Sequence, residues 1–588
     1  MRRERLLELL AAAFLVGIAA AAVWPFRTAA LAVRGAAATG WDAASHALLG
    51  LDLHDDLAGF RPGAFLAAVF EEHWWPPLFG LVSMPFHALF GRSLETASLP
   101  SAAAFVLSPG AAWLLSRHLG GGGLAAALLA LVLSALLFLR SPMLVEMSTW
   151  PMFESLGGLL VLLAWLFFAK RSEPRALKGA ALLAALLFFL KYHYGFFVLA
   201  TFAVVLLLEE TAESRREARR AAVDLLVRPP PFAAAGVIAI LFLGRVLAES
   251  RTPDPPAWLP SRGNLCYGAF LLLLVWSALE RGRTRALWSS LAPPLRLFAR
   301  WGLAAPAVWL LIPGNVRAWY RQTIQYHPDP ERNPLRQIEA AFGFLRDEYT
   351  SNVPDALPLV LVLVGLAAAL VPERGRERTL AAAAWFALWP ALLMCLSTWR
   401  IEARFLGVLV PTLLAVSIGG LLRLLARVRK AAQPVVALLV VAGAVVHAAK
   451  GEAAFQQALS ARAPYRFSNT PGEAAFVEAM RTVLPQAERV AVALPEEPRI
   501  APSLRLALRL DRRNLAPDDL LVVHESPAKV IERLRKRGAG RAAIAVESSG
   551  AALVRQAAGL TVLSEEPGPL LPGAGPRTMT VLRADVGP

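Results

Sequence analysis

FESLGGLLVLLAWLFFAKRSEPRALKGAALLAALLFFLKYHYGFFVLATFAVVLLL, residues 153–208, decides the class of fold. It holds three apolar runs, at 154–169, 177–190 and 195–208. Each is near the length that a helix needs to cross hydrocarbon. The runs are continuous rather than alternating, which points to helices and away from barrel strands. Lys170, Arg171, Arg175 and Lys178 separate the first two runs, and a tight turn carrying Lys191 separates the last two. A basic loop marks the cytoplasmic side, so the tight turn lies outside.

The same pattern extends in both directions. Further runs fall at 6–24, 98–116, 122–139, 231–248, 264–279, 301–313, 355–371, 379–397, 405–424 and 434–449. The basic clusters are Arg2–Arg5, Arg117–His118, Lys170–Lys178, Arg215–Arg228, Arg281–Arg300, Arg374–Arg378 and Arg423–Lys430, with 25 Lys and Arg in all. Placing every cluster inside gives thirteen spans, an inner N-terminus and an outer C-terminus. Pro76–Phe90 does not fit this count. It is short, is interrupted by Pro85 and His87, and reads as a helix at the outer membrane face. The first run also resembles a cleavable signal segment, but an uncleaved first helix is the preferred reading.

Composition agrees. The 588 residues are 56% hydrophobic and 18% charged, against about 45–50% and 25% in soluble chains. Sixteen tryptophans suit interfacial belts. Two cysteines, Cys266 and Cys395, exclude a disulfide scaffold or a Cys-rich metal module. The net charge of +16 is carried largely by inner loops, so no nucleic-acid partner is expected. The expected fold is an all-α polytopic membrane protein of about 13 helices with a C-terminal extracytoplasmic α/β domain. The domains read as 1–450, with outer loops 27–97 and 314–354, and 451–588. In the tail, 490–494, 520–523 and 542–546 read as buried strands, and 471–483, 526–538 and 549–557 as helices.

Ionisable residues gather on the outer side. In GWDAASHALLGLDLHDDLAGF (40–60), Asp42 and His46 share a helix face. A carboxylate there suits a general base, while a solvated face plus a cap is the plainer alternative. Glu71, Glu72 and His73 precede an aromatic-proline turn. Glu154, with Glu146 as the alternative, sits at the outer mouth of a span, where an ionisable group is costly. Lys191, His193 and Tyr194 occupy the outer hairpin turn and suit a phosphate. Arg400 and Arg404 lie four apart, and suit either a phosphate, Glu402 or lipid headgroups. No metal motif is secure, although Asp42, His46, His54 and Asp56 are available to a divalent ion. Acids and cations on one side match transfer from a lipid-linked phosphate donor. A base takes the acceptor's proton and cations neutralise the departing phosphate.

Together these segments resemble the GT-C integral-membrane glycosyltransferases, and among them the protein O-mannosyltransferase and aminoarabinose transferase-like family (glycosyltransferase family 39 type). The family pattern is an acid after the first helix, a loop ending in H-P-P-L, then L-F-G-x-S and A-x-x-L-P-S. Here these are Asp42, His73-Trp-Trp-Pro76-Pro77-Leu78, Leu89-Phe90-Gly91-Arg92-Ser93 and Ala97-Ser98-Leu99-Pro100-Ser101. Glu154, Lys191–Tyr194, Arg404-Phe405 and Pro411 supply the later matches, to about residue 425. Two tryptophans intervene between His73 and Pro76, and Ala43 follows Asp42 where many members have Glu.

The resemblance implies transfer of a hexosyl or pentosyl group from a polyprenyl-phosphate carrier, with inversion, at the extracytoplasmic face of a bacterial inner membrane. Asp42 and Glu154 would be catalytic, and Lys191, His193, Tyr194, Arg400 and Arg404 would hold the donor phosphate. His46 and His73 would position the acceptor or its loop. The acceptor is a lipid, glycan or protein hydroxyl, and membrane lipid surrounds the chain. No cofactor is implied with certainty, and a divalent ion stays open. The rival readings are a ligase or polymerase of lipid-linked polysaccharide, a transporter or flippase for lipid-linked sugars, and a non-catalytic sensor. A transporter would carry internal repeats and broken helices at the midplane, and neither stands out.

Overall fold

The computed structural model describes residues 2–34, 39–71, 76–227, 229–251, 260–323, 357–370, 379, 381–385, 407–462, 469–484, 489–494, 500–511, 520–523, 525–536, 540–557, 560–571 and 577–586. The chain is a helical membrane region followed by a small C-terminal sheet domain.

The first ten helices build the part that matters for function. They are α1 (Arg2–Arg34), α2 (Trp41–Ala58), α3 (Pro62–Glu71), α4 (Leu78–Phe90), α5 (Leu94–Gly120), α6 (Leu124–Leu139), α7 (Pro142–Met147), α8 (Phe153–Phe168), α9 (Pro174–Leu190) and α10 (Tyr192–Glu209). Apolar helices follow at Pro229–Arg251, Arg262–Leu279, Leu357–Leu370, Val410–Arg427 and Gln433–Lys450. Six helices among the described residues are long and apolar enough to cross a membrane, and five shorter apolar helices accompany them. One expected span differs. The run at 301–313 is divided between helices Pro293–Gly302 and Ala304–Trp309 and a turn that ends at Pro313, with Pro306 inside the second helix. Proline removes a ladder donor and shortens what apolarity alone would extend. Much of 379–397 and all of 314–354 beyond Thr323 lie outside the described residues.

α5 is the central helix, buried along most of its length between α1, α4, α8 and the Val410–Arg427 helix. Its start is set by Ser93, whose hydroxyl accepts the Thr96 N–H at 3.0 Å, a standard cap for an orphan donor. Gly91, at φ +83°, makes the turn from α4 into α5; a Cβ would strain that conformation. The buried Arg27 of α1 ties on through the Glu95 carboxylate (3.2 Å) and the Ser98 hydroxyl (2.8 Å). The Leu-Phe-Gly-Arg-Ser and Ala-Ser-Leu-Pro-Ser motifs are thus the hinge and anchor of one helix.

The bundle has two distinct ends. At one, the turns rich in Arg and Lys meet. His118 approaches the Ala169 carbonyl at 3.4 Å, Arg171 pairs with Glu209 and donates to the Thr379 hydroxyl at 2.7 Å, and Glu210 accepts the Ala292 N–H at 3.2 Å. At the other end stand α2, α4, α7, the start of α8 and the α9–α10 turn. There Arg140 pairs with Glu452, at the head of the helix Glu452–Arg462 that leaves the last apolar helix. α4 spans about 20 Å at 1.5 Å per residue, short of the roughly 30 Å of hydrocarbon. Its length fits a helix lying on this end rather than a crossing.

The tail forms a five-stranded sheet of β1 (Arg489–Ala493), β2 (Leu520–Val523), β3 (Gly540–Glu547), β4 (Leu560–Leu571) and β5 (Arg577–Val586), in the order β2-β1-β3-β5-β4. β1 is parallel to β2 and β3, while β5 runs antiparallel to β3 and β4. Alternation along β1 sends Val490 and Val492 to one face and Ala491 and Ala493 to the other. Helices Pro471–Val483 and Ile500–Asp511 cover the first face; Pro527–Lys536 and Ala551–Arg555 cover the second. The three expected strands and three expected helices are present. β4, β5 and the Ile500–Asp511 helix are additional. That helix has a second apolar contact, through Leu506, with Ala44, Ala47 and Leu48 of α2.

Two predictions follow from this arrangement. If the basic end is cytoplasmic, Phe60→Cys (Phe60 is 92% exposed) should react with an impermeant maleimide on intact cells, and Ser289→Cys only after lysis, in a cysteine-free background. The reverse pattern would invert the molecule. The second concerns His87 in α4, which is buried with its Nδ1 3.4 Å from the Gly91 carbonyl. Burial pushes its imidazole down from 6.5 to about 4. The unfolded chain then takes up the proton first, so stability is full above 6.5 and falls as pH drops towards 4. The melting temperature of the purified protein should fall between pH 7 and 5, less steeply for His87→Gln. Equal slopes would remove His87 as the cause.

Candidate active site

Asp42 lies in the first turn of α2, half-buried, where the helix dipole favours a carboxylate. His46 follows one turn later on the same side and is 1% exposed. Its ring sits 3.9 Å from that of Phe153 and 6.0 Å from that of Phe79 in α4. Phe79 meets Phe153 edge-on at 6.1 Å, so His46 is held in an aromatic niche. The expected sharing of a face by Asp42 and His46 is realised.

Phe153 is the first residue of α8 and Glu154 the second. What places them is Ser101 of α5. Its hydroxyl donates to the Met152 carbonyl at 2.7 Å and accepts the Met152 N–H at 3.3 Å. Met152 packs with Trp150 and with Ala43, the neighbour of Asp42. The two acids are therefore each flanked by residues in mutual contact, Ala43 with Met152 and His46 with Phe153. Glu154 is 1% exposed, and so is the alternative acid Glu146.

Lys191 enters from the α9–α10 turn. It is 2% exposed, and its Nζ stands 5.2 Å from the Phe153 ring centre and 5.2 Å from that of Tyr194. Both distances are within reach of a cation–π attraction. The turn is tight because Gly195 lies against Phe188; a Cβ there would come 2.2 Å from the Phe188 nitrogen. His193 and Tyr194 are buried with rings 4.6 Å apart. Tyr192 serves the other side, where its hydroxyl accepts from the Trp309 indole at 3.1 Å.

Residues 407–411 approach the same place. Val408 and Pro411 lie against Gly157 and Gly158 of α8, and Gly407 lies against Met147. Arg400, Arg404 and His73 themselves lie outside the described residues. Of the four residues considered for a divalent ion, Asp42 and His46 share one face of α2, while His54 and Asp56 have partners elsewhere. His46 faces Phe153, His54 contacts Asp55 at 3.2 Å, and Asp56 pairs with Arg61 at 2.7 Å. Among the described residues no three His, Cys, Asp or Glu side chains form a metal-holding group.

Three contributors escape a reading of spacing. Phe153 is one apolar residue in an apolar run. Ser101 is one small residue in a membrane helix, flagged only by the Leu-Pro-Ser motif. The third is the set of arginines that meets the far side of α2. The i, i+4 pair Arg505 and Arg509 on an amphipathic stretch was the available signal.

Residues 75–227 match the family model of dolichyl-phosphate-mannose-protein mannosyltransferase. Glu154, Lys191, His193 and Tyr194 fall inside that segment, and Asp42 and His46 precede it. No curated protein matches the chain. Among solved structures, the chain is similar to ArnT from Cupriavidus metallidurans in the apo state, at 13% identity and TM-score 0.39, over 97% of this chain and 98% of that one. It is also similar to the archaeal oligosaccharyltransferase AglB from Archaeoglobus fulgidus, in complex with an inhibitory peptide and a dolichol-phosphate. That likeness has 12% identity and TM-score 0.47, over 92% of this chain and 70% of that one. ArnT bound to undecaprenyl phosphate gives 13% identity and TM-score 0.36, over 96% and 97%. Over residues 75–227 the chain is thus similar to a family of membrane mannosyltransferases, in line with the motifs of the first hundred residues.

Proposed function

We propose that the protein transfers a sugar from a polyprenyl-phosphate-linked donor to a hydroxyl acceptor at the extracytoplasmic face, with inversion at the anomeric carbon. The observation that carries this reading is the meeting at Phe153 of the acid-bearing face of α2, the acid-bearing start of α8 and the lysine turn. An acid-bearing helix and the lysine turn then share one buried ring. The family match over 75–227 supports the same class of reaction.

In this mechanism Asp42 accepts the proton of the acceptor hydroxyl. The acceptor oxygen forms its bond to the anomeric carbon from one side as the bond to the phosphate oxygen breaks on the other. The negative charge passes to the leaving polyprenyl phosphate, where Lys191 stabilises it, with His193 and Tyr194 at the same turn and Arg400 and Arg404 from the neighbouring segment. Low local dielectric strengthens that stabilisation. Glu154 orients donor or acceptor beside Asp42, and His46 and His73 hold the acceptor loop. The sugar is a hexose or pentose, the acceptor a lipid, glycan or protein hydroxyl, and the membrane a bacterial inner membrane with the sheet domain outside. Assays with and without chelator read any need for a divalent ion.

The test is single-turnover transfer by the purified full chain, with a synthetic polyprenyl-phosphate hexose as donor. Asp42→Asn should slow transfer by about 10²–10⁴-fold, the usual contribution of a general base, with donor binding little changed. Lys191→Ala should weaken donor binding first. A helix-capping role for Asp42 instead implies a stability loss of about 1–2 kcal/mol and normal turnover in the folded fraction. Near-wild-type rates in Asp42→Asn would remove Asp42 from the mechanism.

A further inference from the structure

We propose that the C-terminal domain is a positioning device for α2, and that Arg509 is its central positioning residue. The proposal rests on the transferase reading for its catalytic consequence, but the device itself stands on contacts. Arg509 is 1% exposed, a charge removed from water. Its guanidinium holds Asp52 at 3.1 Å and Asp55 at 2.5 Å, both on α2. Arg505, one turn earlier, holds the other oxygen of Asp52 at 2.8 Å. Arg92, in the turn between α4 and α5, completes the network through Asp55 at 2.9 Å and the Arg509 carbonyl at 3.4 Å.

A second point of attachment lies at the other end of α2. The buried Ser503 hydroxyl donates to the Thr39 carbonyl at 2.7 Å, three residues before Asp42. Between the two points Leu506 packs with Ala44, Ala47 and Leu48. One twelve-residue helix of the tail thus grips α2 at its start, middle and last two turns.

The geometry explains what the grip controls. At 3.6 residues per turn, Ala44, Leu48 and Asp55 lie about 120–160° round α2 from Asp42, and Asp52 about 80° round on the flank away from His46. His46 lies about 40° from Asp42, on the side that meets Phe153. The tail therefore holds the back of the helix whose front carries the base. Axial rotation or sliding of α2 would separate Arg509 from two carboxylates at once. A buried charge network adds little net stability, because desolvation offsets attraction, and its best-attested use is to fix register. That is the role assigned here. α2 has one rotational setting in which Arg509 is satisfied, and in that setting Asp42 and His46 face the start of α8.

The experiment uses the full chain in lipid nanodiscs, with Arg509→Gln, Arg509→Lys and Ser503→Ala. Hydrogen exchange over 39–58 reports the grip without reference to activity, and single-turnover transfer from the polyprenyl-phosphate hexose reports its consequence. Arg509→Gln should raise exchange over α2 and slow transfer by about 10- to 100-fold, the scale of a misplacement near 1 Å. Its donor KM should stay within about twofold, since a positioning defect acts on turnover. Arg509→Lys should recover part of the rate. If Arg509→Gln does not fold, Ser503→Ala is the decisive variant, and it should raise exchange at 39–46 with a smaller loss of rate. Unchanged exchange in the folded variants overturns the proposal, as does raised exchange with a normal rate. If exchange rises but wild type transfers no sugar, the grip stands and the transferase reading falls.

Discussion

The end of the bundle that carries the candidate site depends on where α8 begins, and one hydroxyl helps set that point. Ser101, deep in α5, both donates to and accepts from the backbone of Met152. A chain entering a membrane helix has unpaired backbone groups that cannot be left in an apolar setting. Ser101 pairs the Met152 carbonyl and shares the Met152 N–H with the Trp150 carbonyl (2.8 Å), and so ties the residue from which Phe153 and Glu154 are counted to α5. α5 is itself fixed by the Ser93 cap and by buried Arg27, so the reference extends to α1. The acid of α8 is located by a deeply buried helix of the bundle rather than by its own loop alone.

Much of this was legible in the sequence. Continuous apolar runs reported the helices because hydrocarbon imposes length and apolarity together. The basic loops reported the two ends, and the structure gathers them accordingly. Chain division at 301–313 was hidden because Pro306 interrupts a run whose composition is otherwise that of a span. In the tail, β1, β2 and β3 were visible as short buried runs. β4 was not, because it is largely exposed and carries Pro567 and Gly568. The Ile500–Asp511 helix was hidden by Pro502, which a first turn tolerates but a pattern reading takes for a break.

The site was legible as a set of outer patches, not as an arrangement. Periodicity put Asp42 and His46 on one face, and the hairpin put Lys191 at a turn. That a phenylalanine would join them is a matter of side-chain packing between helices far apart in sequence, which no local period encodes. DLHDD at 52–56 shows the limit well. As a string it offers metal ligands, whereas in the fold Asp52 and Asp55 answer arginines more than four hundred residues away.

That separation also governs when the protein is ready. Asp52 and Arg509 are 457 residues apart. At synthesis rates of about 5–20 residues per second, the second partner emerges roughly 25–90 s after the first. The membrane helices between them are laid down in that interval, while Asp52 waits for Arg505 and Arg509. A chain halted before residue 500 would present its bundle but not its fixed acidic helix. The sheet domain is therefore made well after the helix it holds.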